Sequence, residues 1–238
     1  MLSGSRPRGV EVAARKGQTQ EKTIRIVVVD DHPVVRQGLA LLIEQESDME
    51  LCGEAESTAD ALKVLEDSRP DVVVVDISLR DSSGIELVKD IRVRWPDLLV
   101  LILSMHDESF YAERVLRAGA RGYVTKDEAT EKVITAIRRI MAGEIYLSER
   151  MSSKMLCKLV ETRQGASGLS VECLSDRELQ VFELIGQGLG TRNIAETLHL
   201  STKTIESHRE RIKKKLKLNN ASELLQHAIQ WVQLERGG

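Results

Sequence analysis

Four consecutive valines, Val72–Val75, run directly into Asp76. A strand with one wet face alternates apolar and polar residues. A run that is apolar at every position buries both faces, as in a parallel sheet covered by helices on either side. The pattern recurs along the first half of the chain. Ile24–Val29 ends at Asp30 and Asp31, Leu98–Leu103 closes at Ser104, and Gly122–Val124 precedes Thr125 and Lys126. Met49–Gly53 is a shorter strand candidate. Helical spacing separates these runs: Val34, Val35, Leu39, Leu42 and Ile43; then Leu62 and Leu65 after a cap at Thr58; then Ile85, Leu87, Val88 and Ile91, stopped near Pro96. Phe110 to Ala118 continues the series with Gly119 as C-cap, and Val133, Ile134, Ile137 and Ile140 complete it. Five strands alternating with five helices predict an α/β unit with a five-stranded, parallel, doubly wound sheet.

The remainder of the chain has a different grammar. Residues 149–161 are helical in pattern, and Thr162–Gly168 is a polar, glycine-containing linker. Ser175 and Glu178 form a capping box ahead of Val181, Leu184 and Ile185, and Gly186, Gly188 and Gly190 end that helix. A short helix over Thr191–Leu198, a turn at His199–Ser201 and a longer helix over Thr202–Lys217 follow. After Asn219–Asn220, a last helix carries Leu224, Leu225, Ala228, Ile229 and Val232. The second unit is therefore all-α, with four helices in helix-turn-helix order. Charge divides the same way. Residues 23–148 carry 15 Lys and Arg against 24 Asp and Glu, whereas residues 149–238 carry 14 against 11. Seven basic and two acidic residues lie in Thr202–Lys217. This is either a solvated helix face or the footprint expected of a nucleic acid partner.

Composition excludes several classes. Hydrophobic residues at 42% exclude wholesale disorder, and aromatics at 3% argue against an aromatic-rich sandwich or barrel. The longest apolar run, Leu98 to Leu103, is far below the ~20 residues of a membrane span. Residues 1–22 are basic and polar, which does not fit a secretory signal and reads as a disordered extension. Cys52, Cys157 and Cys173 are odd in number and widely spaced, as ordinary thiols of a reducing cytoplasm would be.

The strand ends carry the chemistry. Ligands of such sheets bind beyond the C-terminal ends of the strands. There the chain places Asp30, Asp31 and Asp76, with Ser104 and Lys126 on the next two strands. Hard carboxylate oxygens suit Mg²⁺, which keeps waters and pairs with a phosphate. A carboxylate such as Asp76 can act as a nucleophile toward phosphorus, and Lys126 can offset charge on the phosphoryl oxygens. An isolated Asp-Asp pair could simply cap the following helix. Aspartates at two strand ends, serine at a third and lysine at a fourth are harder to obtain by chance.

These residues resemble a known family. Val28-Val29-Asp30-Asp31-His32-Pro33, Val74-Val75-Asp76-Ile77-Ser78-Leu79, Leu103-Ser104 and Gly119-Ala120-Arg121-Gly122-Tyr123-Val124-Thr125-Lys126 resemble the receiver motifs of two-component response regulators of the NarL/FixJ type. Leu174-Ser175-Asp176-Arg177-Glu178 and Ser201-Thr202-Lys203-Thr204-Ile205-Glu206-Ser207-His208 resemble the LuxR-type DNA-binding domain. The resemblance implies a flavodoxin-like receiver over 23–145, a connecting helix and linker over 146–170, and a DNA-binding domain over 171–238. It also implies a phosphorylation-regulated transcription regulator that receives a phosphoryl group from a sensor histidine kinase on Asp76, and is otherwise not an enzyme.

By that resemblance, Mg²⁺ is held directly by Asp31 and Asp76, largely through water by Asp30, and by the backbone carbonyl of Ser78. Ser104 and Lys126 grip the phosphoryl oxygens, and Ser104 and Tyr123 are the switch pair. Thr202, Thr204 and His208 approach DNA phosphates, with Arg211 and Lys214 adding charge. Lys203, Glu206, Ser207 and Glu210 face base edges. Leu225 and Ile229 suit either domain core or a dimer face, and the resemblance favours a homodimer on double-stranded DNA. RNA polymerase is a further candidate partner, the location is the cytoplasm, and no membrane is involved.

Two positions depart from the family pattern. Arg80 stands where many receivers have proline, and Asp127 follows the lysine, so no cis peptide is carried over. His32 and His106 read as loop residues without chemical roles. The unphosphorylated receiver is expected to hinder the recognition helix or dimerisation. Two other readings compete. A flavodoxin-like phosphatase or nucleotide-binding protein would want a glycine-rich loop after the first strand, where Asp30-Asp31-His32-Pro33 stands. A receiver acting mainly through protein interaction, beside an RNA-binding module, would want exposed aromatics for base stacking.

Overall fold

A computed structural model describes residues 23–79, 83–161 and 171–237. The expectations for the 1–22 extension, for Arg80 and for the Thr162–Gly168 linker fall outside these. The first unit runs β1 (Ile24–Val29), α1 (Pro33–Glu44), β2 (Met49–Ala55), α2 (Thr58–Ser68), β3 (Val72–Val75), α3 (Gly84–Arg94), β4 (Leu99–Ser104), α4 (Glu108–Ala118), β5 (Gly122–Thr125) and α5 (Ala129–Met141). A connecting helix α6 (Glu149–Glu161) leads to α7 (Asp176–Gly186), α8 (Thr191–Thr197), α9 (Thr202–Leu216) and α10 (Ala221–Gly237).

The sheet is wholly parallel in the order β2-β1-β3-β4-β5. Strand side chains alternate between two cores, as the two-residue period requires. Val27, Val29, Val73, Val75 and Ile102 point into one core with α2, α3 and α4. Ile26, Val28, Val72, Val74 and Leu101 point into the other with α1 and α5. All ten are essentially inaccessible to water. The strand order reverses between β1 and β3, and Val29 pairs with Val75 there. Asp30 and Asp76 are the next residues along, so the register itself brings them together.

Local capping differs from expectation at one site. Ser57, not Thr58, caps α2, because its hydroxyl accepts the Asp60 amide. The capping box of Ser175 and Glu178 at α7 is present in both directions. The C-terminal unit has its own core of Val181, Ile185, Ile194, Ile205, Ile212, Leu224 and Ala228. A Cβ at Gly186 would lie 2.4 Å from the Ala228 carbonyl oxygen, so α7 and α10 approach at a distance that only glycine permits. The two cores also touch. Leu179 of α7 and Val232 of α10 join the first unit's core, and Trp231 stacks on Phe110 with centroids 4.6 Å apart.

Candidate functional site

Asp30, Asp31 and Asp76 are all buried at the C-terminal edge of the sheet. Potential ligand atoms of these three and His32 lie within 4.8 Å of one another. Lys126 Nζ sits 2.6 Å from Asp76 Oδ2 and 2.7 Å from Asp30 Oδ2. Burial pushes the Asp76 carboxyl above its ordinary range, against the pull of Lys126. Burial also acts to lower the Lys126 ammonium, but Asp76 and Asp30 outweigh it and hold the group above its ordinary value. Three buried carboxylates thus face one lysine. Uncompensated buried charge is costly, and a hard divalent cation fits this oxygen donor set.

The loop after β3 is shaped by Gly84, which starts α3 and whose amide donates to the Ile77 carbonyl at 2.8 Å. A Cβ there would lie 1.9 Å from the Asp76 carbonyl oxygen. The Ser78 amide donates to Asp76 Oδ1 at 3.2 Å. Ser104 is fully buried and accepts the His106 amide at 3.2 Å. Tyr123 is turned inward and donates to the His106 carbonyl at 2.8 Å. Burial raises its phenol well above the usual value.

Both histidines have more to do than sequence reading allowed. His32 Nδ1 lies 2.8 Å from Asp31 Oδ1. His106 bridges Ser78 Oγ at 2.9 Å and Glu183 Oε2, on α7, at 2.8 Å. No local signal marks His106, because its partners are 28 and 77 residues away along the chain.

Helix α9 carries the second cluster. Thr202, Lys203, Glu206, Ser207, Glu210, Arg211 and Lys214 are exposed on it, while Ile205, Ile212 and Leu216 are buried. Thr204 and His208 are only half-exposed. The Thr204 hydroxyl is shared with Ser201 at 2.8 Å. Nδ1 of His208 is buried and has no hydrogen-bond partner among the described residues. Two acidic side chains are tied down: Glu206 accepts from Thr191 at 2.6 Å, and Glu210 pairs with Lys213 at 2.8 Å. The first unit, expected to hinder either this helix or dimerisation, does not sit over the helix. It packs instead on α7 and α10, leaving the outward face of α9 open.

Residues 26–138 match the response regulator receiver domain, and residues 172–228 match the bacterial regulatory proteins of the luxR family. The oxygen regulatory protein NreC of Staphylococcus epidermidis is 35% identical over 217 residues, covering 89% of this chain and all of the relative. The chain belongs to the two-component response regulators. Its NreC counterpart in Staphylococcus carnosus is also 35% identical, over 87% of this chain and 97% of the relative. Among solved structures, RcsB of Salmonella typhimurium aligns over 88% of this chain and 98% of its own, at 25% identity and a TM-score of 0.60. RcsB bound to the rprA promoter in the presence of phosphomimetic BeF₃⁻ aligns over 87% and 98%, at 26% identity and a TM-score of 0.57. This response regulator is therefore a DNA-binding regulator rather than a classical enzyme. Among the described residues, no helix is long and apolar enough to cross a membrane.

Proposed function

We propose that this response regulator works in the cytoplasm and takes a phosphoryl group onto Asp76 from a sensor histidine kinase. The observation that carries this is the buried Asp76, bound by Lys126 and set among Asp30 and Asp31. An Asp76 oxygen forms the bond to phosphorus as the donor's N–P bond breaks, and the leaving imidazole keeps the electron pair. Lys126 exchanges its carboxylate partners for the incoming phosphoryl oxygens, and the Ser104 hydroxyl donates to another. Asp31, Asp76 and the Ser78 carbonyl would hold Mg²⁺, with Asp30 acting through water. The ion would supply charge neutralisation. Slow self-catalysed loss of the phosphoryl group is the only further chemistry assigned.

The receiver occupies 23–145, the connecting segment 146–170 and the DNA-binding domain 171–238. Duplex DNA is met by α9 as a homodimer, with RNA polymerase as a downstream partner. Lys203, Glu206, Ser207 and Glu210 face base edges. Thr202, Arg211 and Lys214 face phosphates, and so do Thr204 and His208, to the extent that their partial burial permits. Exposed placement of seven of these nine side chains supports the reading. Asp76→Asn should fold normally, since the amide is nearly isosteric. It should lose all acyl-phosphate labelling by acetyl phosphate with Mg²⁺. Undiminished labelling of that variant would move the phosphoacceptor elsewhere.

A further inference from the structure

Gln180 and Glu183 are fully buried, and within their own domain each accepts one hydrogen bond, from Arg177 at 2.8 Å and from Gln187 at 2.9 Å. The receiver buries them. Gln180 Nε2 donates to Ser78 Oγ at 3.2 Å. Glu183 Oε2 accepts the Tyr111 hydroxyl at 2.9 Å and lies 2.8 Å from His106 Nδ1. His106 Nε2 in turn meets Ser78 Oγ at 2.9 Å. This bridge ties the loop after β3 to the loop after β4. Each loop is also bonded to the pocket, Ser78 through its amide to Asp76 and His106 through its amide to Ser104. Two side chains of the DNA-binding domain therefore reach the phosphorylation site through one intermediate residue each.

The pocket is closed in this arrangement, with Asp76 only 2% exposed. A phosphoryl donor must reach Asp76, so it binds an open rim better than a closed one. Such a ligand shifts the equilibrium only by its differential affinity, and any contact that favours the closed rim opposes it. Glu183 is such a contact. Docked, it exchanges water for His106 and Tyr111 while Gln187 of its own helix holds its other oxygen, and a buried carboxylate so held fixes the positions of the two receiver groups.

Resting on Asp76 as phosphoacceptor, we propose that Gln180 and Glu183 are positioning residues of the phosphorylation site. Through Ser78 and His106, the docked DNA-binding domain holds the pocket rim closed and slows phosphoryl entry. With a small acyl phosphate as donor, an Asp76 oxygen bonds to phosphorus while the donor's O–P bond breaks. The carboxylate product departs with the electron pair. Docking changes access to this step and not its chemistry.

The test uses the full chain with Mg²⁺ and acetyl phosphate, and reads the initial rate of acyl-phosphate formation. The double variant Gln180→Ala/Glu183→Ala should label about tenfold faster than wild type, the population shift expected from losing a hydrogen bond to a charged group. Tyr111→Phe removes one donor to Glu183 from the receiver side and leaves α7 untouched. It should accelerate labelling about threefold, as loss of one ordinary hydrogen bond would. A purely structural role in the C-terminal domain would lower its thermal stability without changing either rate. Unchanged rates in both variants, with Asp76→Asn unlabelled, would overturn the gating proposal and leave the phosphoacceptor reading standing. Labelling that survived in Asp76→Asn would instead overturn that reading.

Discussion

At the scale of single residues, the pocket depends on one missing side chain as much as on those present. Gly84 lets α3 start directly beneath the Asp76 carbonyl. Gly84→Ala drives a methyl group into backbone that cannot swing aside. It should cost about 3 kcal/mol, the upper end for overpacking, and slow labelling of Asp76. A denaturant midpoint measured beside the labelling rate checks both effects, and an unchanged midpoint would mean that the loop relaxes freely. The aspartates, Ser104 and Lys126 were legible because each follows an apolar run that declares a strand end. His106, Gln180 and Glu183 were not. Each has a partner in the other domain, and a polar residue on an amphipathic helix looks solvent-facing until a second surface covers it. The shift of a cap from Thr58 to Ser57 is a smaller failure of the same kind, since either hydroxyl could accept and only backbone geometry decides.

At the scale of elements, the valine strands and the α9 helix explain the division of labour. Strands apolar on both faces needed no tertiary information to be read as a parallel sheet, and their register then brought Asp30 beside Asp76. Helix α9 was legible as basic and amphipathic, but its acidic groups were not legible as restrained. Thr191 on α8 holds Glu206, which pre-orders a carboxylate able to accept from cytosine N4. Lys214→Ala should weaken binding to all duplexes alike and lower the salt slope by about 1. Glu206→Ala should instead redistribute preference at one base position. Selection of bound duplexes from a random pool, with titrations at several salt concentrations, separates the two effects. A uniform loss of affinity in Glu206→Ala would remove that residue from base readout.

At the scale of the whole molecule, the acidic receiver docks on α7 and α10 and leaves the recognition face free. Arg114 is a second anchor. It reaches the Val171 and Leu174 carbonyls and lies 3.2 Å from Asp176, which Lys89 also meets at 3.1 Å. Arg114→Ala removes three contacts across the interface and leaves Asp176 to Lys89 alone. It should loosen docking and raise the radius of gyration in solution scattering, with both domains still folded. An unchanged radius would show that the apolar contact of Phe110, Trp231 and Leu179 suffices. Docking buries Val232 and packs Trp231 of α10, while Leu225 and Leu234 stay exposed on the same helix.

An acyl phosphate on Asp76 would offer an acceptor to the Ser104 hydroxyl, whose oxygen now accepts the His106 amide. Movement of Ser104 toward the phosphoryl group would pull on His106, and the account expects this to loosen its bridge to Glu183 and favour release of α7 and α10. The most direct measurement is the affinity of the full-length chain for a selected duplex at fixed salt, with and without prior phosphorylation, beside Asp76→Asn treated identically. Phosphorylation should tighten binding by the wild type and leave Asp76→Asn unchanged. Equal affinity of the phosphorylated and unphosphorylated wild type would contradict the account.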